Sequence, residues 1–140
     1  MNTTMKAAIL LISGTIFFSQ ASLADNPNKP PKPAPTDCVY FVNLGSACAE
    51  KLNTAHGTLG TYATSFKSDR DFVGLRCKVV ESEVKMYEDK ATDALAKLEK
   101  SYEKVWTLVS QRKLGESEAS LIAADIATAR DCADPELPTP

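Results

Sequence analysis

Histidine is almost missing from this chain, and that scarcity removes several chemistries at once. The only one, His56, stands in Thr-Ala-His56-Gly, so every Ser-His or Cys-His couple would have to run through it, and a zinc site would rest on cysteine. The cysteines, Cys38, Cys48, Cys77 and Cys132, include no C-x-x-C pair, which argues against metal ligation and for disulfides. Glycine is sparse as well, and Gly57 and Gly60 lack both the lysine and the preceding strand of a P-loop, so no nucleotide site follows. Carboxylates are plentiful, yet Asp69/Asp71, Glu81/Glu83 and Glu116/Glu118 lie two apart and point in different directions on a helix. They read as solvated or dipole-matching charges rather than an acid–base couple. His56 reads in the same way, as a side chain complementing the end of a helix. No catalytic residue, metal or cofactor is expected, and an enzyme of unrecognised type is only a third reading.

A basic block and a long apolar run are also missing. Sixteen basic residues face 18 acidic ones, for a net charge of −2, so there is no electrostatic footprint for nucleic acid or anionic lipid. The apolar run Ala7 to Phe18 is about a dozen residues, short of the roughly 20 that a membrane-spanning helix needs. With Lys6 before it and Ser22-Leu23-Ala24 after it, this is the pattern of a secretory signal peptide, residues 1–24, with cleavage after Ala21 as the near alternative. No membrane span is expected in the mature chain. Export, to the periplasm or the medium, puts the four cysteines in an oxidising compartment, where an even count reads as two disulfides.

Proline is absent from 37–133; all eight prolines fall in 25–36 or 134–140. The first segment, DNPNKPPKPAPT, reads as an extended flexible tether, and 134–140 as a disordered tail. Between them apolar residues recur at helical spacing. Val80, Val84, Tyr87, Ala91, Ala94, Leu98, Tyr102, Val105 and Val109 form one stripe, predicting a single long helix from about Asp69 to Lys113. Gly115, after Arg112 and Lys113, is the expected left-handed stop, and Ser117 the expected cap of a helix running to about Cys132. A first helix is expected from about Ser46 to His56, with a looser glycine-bearing segment up to Ser68. Val39 to Val42 is an apolar, strand-like run, and an extension of the first helix back through it to Asp37 is the alternative. The fold class expected is all-α: a small three-helix antiparallel bundle with one long central helix, stapled by two disulfides.

Four cysteines allow three pairings. Counting residues about the turns of such a three-helix hairpin sets Cys48 level with Cys77 and leaves Cys38 for Cys132, with a local Cys38–Cys48 bridge as the alternative. A stapled scaffold without catalytic groups suits rigid recognition of another protein, since a preformed surface loses less entropy on binding. The chain therefore reads as an exported, non-enzymatic protein-binding module, of inhibitor or immunity type. The alternative is an accessory structural subunit of an envelope secretion or conjugation assembly, in which self-association or a second chain completes the apolar stripe. Partner-binding anchors are sought among Tyr62, Phe66, Phe72 and Trp106, from the connection after the first helix and the far end of the long one.

Overall fold

The computed structural model describes residues 38–136; the expected signal peptide, the tether and residues 137–140 of the tail lie outside the described residues. The described chain is all-helical: α1 (Ala49–Thr61), α2 (Asp69–Tyr87), α3 (Ala91–Ser110) and α4 (Glu116–Ala133), with one 3-10 turn, Ala63–Ser65, after α1. The small all-α bundle with two disulfides is thus present, but the expected long helix is two helices. The chain reverses at Glu88-Asp89-Lys90, which makes a bundle of four helices instead of three.

The reversal uses neither glycine nor proline. Asp89 adopts a left-handed backbone, φ 62°, and the amides of Asp89 and Lys90 donate to the carbonyls of Met86 and Lys85 at 3.1 and 2.8 Å. That pair of bonds is a Schellman ending, and aspartate is among the few residues that enter the left-handed region at modest cost. The same motif closes α3, where Arg112 (φ 59°) is the left-handed residue and Lys113 donates to Leu108 O at 2.8 Å. Gly115, expected in that role, instead has φ −71° and N-caps α4, so Ser117 falls inside the first helical turn.

The first helix begins later and ends later than expected, because Leu52, Ala55 and Leu59 form a buried stripe that carries it through Gly57 and Gly60. Burying such side chains stabilises by roughly 2 kcal/mol each for leucine, which exceeds the cost of about 1 kcal/mol for a helical glycine. Each helix packs on two neighbours: α1 on α2 and α4, and α3 on α2 and α4. Neighbours run antiparallel, as the pairs Lys97–Glu81 (3.1 Å) and Lys104–Asp71 (3.5 Å) show between α2 and α3. Leu52, Leu75, Leu98, Leu108, Ile122 and Ile126 fill the centre. Two serines inside it, Ser82 and Ser101, return their hydroxyls to the Lys78 and Lys97 carbonyls of their own helices.

The disulfides pair Cys38 with Cys77 and Cys48 with Cys132. Neither the expected pairing nor the local alternative occurs, and the break in the long helix is the reason. Because α3 folds back along α2, α4 returns its C-terminal end to the place where α1 begins, and Cys132 meets Cys48, the residue that N-caps α1. That leaves Cys77, at mid-height on α2, for Cys38 in the segment ahead of α1.

Candidate functional site

Residues 38–48 form neither helix nor strand; they are a strap laid over α1 and α2. Beyond the Cys48–Cys132 bridge at its far end, three fastenings tie its side chains and start to α1 and α2. The Cys38–Cys77 disulfide pins its start to α2. His56 Nε2, from α1, lies 3.0 Å from the Cys38 carbonyl and donates to it. The Ser46 hydroxyl donates to the Glu83 carboxylate on α2. Phe41 points inward, packing edge-on to His56 with ring centroids 6.0 Å apart and joining the small cluster of Cys38, Cys77, Val80 and Val73.

Anchoring one aromatic turns its neighbours outward. Tyr40 is 80% exposed, Val39 48% and Val42 43%, and these are three of the five large apolar side chains exposed in the described chain. The other two, Tyr87 and Leu121, stand singly on α2 and α4. Exposed apolar residues are ordinary when scattered; three within four positions, on a segment held by a covalent bond, are not.

The two titratable fastenings are both displaced from their ordinary behaviour. Burial pushes the His56 imidazole below its ordinary value of 6.5, aided by the nearby Arg76 charge, while the bond to the Cys38 carbonyl works the other way. His56 is therefore a satisfied neutral side chain within α1, not a dipole partner at a helix end. Burial also pushes the Glu83 carboxyl above its ordinary 4.5, against the hydrogen bonds from Ser46 and the Leu44 backbone. Glu83, expected on a solvated face, is wholly buried. Its neighbour Glu81 pairs with Lys97, and Asp69, Asp71, Glu116 and Glu118 occupy the first turns of α2 and α4, where carboxylates suit the helix dipole.

The four aromatics expected as anchors do not share an exposed face. Phe66 and Phe72 are core residues, 5.5 Å apart between centroids, with Arg76 stacked 4.4 Å over Phe72. Tyr62 and Trp106 are half-buried against the same core, and Trp106 sits edge-on to Tyr102. Among the described residues, two shallow clefts border the bundle. One, of about 380 Å³, lies at the loop end beside Lys67, Arg112 and Glu116. The other, of about 350 Å³, runs along α2 past Cys77 and so borders the strap. Neither joins a nucleophile to a base. Among the described residues no group of three or more histidine, cysteine, aspartate or glutamate side chains is placed to hold a metal ion, and no helix is long and apolar enough to cross a membrane.

Tyr40 and its neighbours were not among the expected anchors, because Val39 to Val42 reads in the sequence only as a strand-like run at the ill-defined start of the first helix. The signal was the local pattern itself: an apolar run directly after a cysteine, in a chain otherwise patterned for helix. No protein-family model, no curated protein and no solved structure matches the chain.

Proposed function

We propose that this chain is an exported protein-binding module, non-enzymatic, which occludes another envelope or secreted protein in the manner of an inhibitor or immunity protein. The observation that carries the reading is the strap: Val39, Tyr40 and Val42 face solvent on a segment fastened by a disulfide at Cys38 and by hydrogen bonds at both its ends. A tyrosine presented on a backbone already fixed loses little entropy when it is covered, and tyrosine is enriched among residues that dominate binding energies. The closed disulfides suit an oxidising compartment. The alternative, a structural subunit of an envelope assembly, draws less support, because most of the apolar stripe that a second chain would have completed is buried within the same chain, its α3 part facing α4 and Val80 lying in the cluster with Cys38 and Cys77.

The test is affinity capture from envelope and culture-supernatant extracts with the oxidised protein and its Tyr40→Ala variant, alongside light scattering. Tyr40 is so exposed that its truncation should leave the urea midpoint unchanged. The variant should nevertheless lose the captured protein, by about tenfold or more in affinity. Equal capture by both proteins would reject the strap as the binding element, and a large self-assembly would favour the structural alternative.

A further inference from the structure

The strap starts on α2, where Cys38 is bonded to Cys77, and there it borders a cleft whose chemistry says what should lie in it. Its lining residues Arg70, Val73, Gly74, Cys77, Lys78 and Glu81 step by three and four along one face of α2. Val73 and Cys77 give it an apolar floor, and at Gly74 that floor is open: a side chain there would meet nothing within 4 Å. Three charges stand around it. Glu81 is already engaged by Lys97 at 3.1 Å. Arg70 and Lys78 have no ion-pair partner among the described residues. These two unanswered cations flank the apolar stretch of Val73, Gly74 and Cys77, with the already engaged Glu81 beyond Lys78.

We propose that this cleft, together with Val39 and Tyr40 of the strap, takes an extended acidic segment of the partner protein, with an apolar side chain on the Val73–Gly74 floor and a carboxylate at each end. This rests on the protein-binding reading and adds the partner's chemistry to it. Helical rise sets the spacing. Arg70 and Lys78 are separated by about 12 Å along the helix axis, at about 1.5 Å per residue. An extended chain covers that in about four residues at roughly 3.3 Å each. The fitting motif is therefore acid, spacer, apolar, spacer, acid. Opposed charges at the rim speed encounter and set register, while the apolar contact supplies the burial.

The probe is a fluorescein-labelled peptide containing Glu-Ser-Leu-Ser-Glu, compared with versions carrying glutamine or lysine in place of glutamate. Each is titrated into the full oxidised protein at low and high salt, with amide shifts mapping the contact. The glutamate peptide should bind saturably, move the amides of Val73, Gly74, Cys77 and Tyr40, and weaken as salt screens the pair. The glutamine peptide should bind about tenfold more weakly. The double variant Arg70→Glu/Lys78→Glu, with circular dichroism to confirm its fold, should lose the glutamate peptide and gain the lysine one; Arg70→Gln/Lys78→Gln should favour neither. No saturable binding of the glutamate peptide, or binding that ignores the charge reversal, overturns the proposal. So does a dimer by sedimentation that the reversal dissolves, since the cleft's occupant would then be a second copy. Should the reversed variant still capture the natural partner while Tyr40→Ala does not, the acidic-segment proposal falls and the binding-module reading stands. Capture indifferent to Tyr40 removes the reading beneath both.

Discussion

Acidification should act on this protein through two buried side chains of opposite sign. His56 has its proton affinity lowered by burial. Between its folded value and 6.5 the unfolded chain binds a proton that the folded chain does not, so stability falls as the pH drops below about 6.5. Glu83 is shifted the other way. Between 4.5 and its raised value the folded chain keeps a proton that the unfolded one has released, so stability falls as the pH rises through that window. Glu83→Gln, which retains an acceptor for Ser46, should therefore gain stability at neutral pH relative to pH 4.5 when compared with the natural protein. His56→Gln should flatten the acid side of the profile. Urea midpoints from about pH 4 to about pH 8 decide both, and parallel profiles for all three proteins would refute the assignment. Neither burial was legible in the sequence. Glu83 sits among Glu81 and Lys85 in what reads as a solvated face, and the strap that crosses α2 and brings Ser46 to its carboxylate is not visible in that spacing.

Apolar spacing located the helices well, because the residues it picks out in α3 and α4, among them Ala94, Leu98, Val105, Ile122 and Ile126, are those the core encloses. It was blind to the turn at Asp89. Tyr87 and Ala91 keep the stripe's spacing across the reversal, and periodicity reports which side chains are apolar, not whether the axis continues. Glycine misled in the opposite direction, marking breaks at Gly57 and Gly60 where α1 continues. An added methyl at Gly57 meets nothing within 4 Å. Gly57→Ala should thus stabilise the protein by about 0.5–1 kcal/mol through helix propensity alone, read as a higher denaturant midpoint with an unchanged slope. A loss of stability there would mean that the helix does not run through that position.

The disulfides set the stability of the whole molecule. Cys38–Cys77 and Cys48–Cys132 span 39 and 84 residues, closures that restrict the unfolded chain by about 4 and about 4.5 kcal/mol respectively when each is considered alone. Those figures are comparable with the total stability of a small domain, so the reduced protein should be marginal or unfolded at physiological temperature. Cys48→Ala/Cys132→Ala should cost at least as much as Cys38→Ala/Cys77→Ala in guanidinium unfolding. A difference appears in function: only the second pair releases the start of the strap, and should weaken partner capture even where the bundle persists. The pairing could not be read from sequence because it depends on which helices are neighbours, and a three-helix count puts α4 beside the wrong partner.

The two bridges also interleave along the chain, each beginning before the other ends. Wherever a protease cuts the backbone between Cys38 and Cys132, at least one bridge spans the cut, so the fragments stay one covalent body. Nicked protein should migrate as a single species on a non-reducing gel and separate only when reduced.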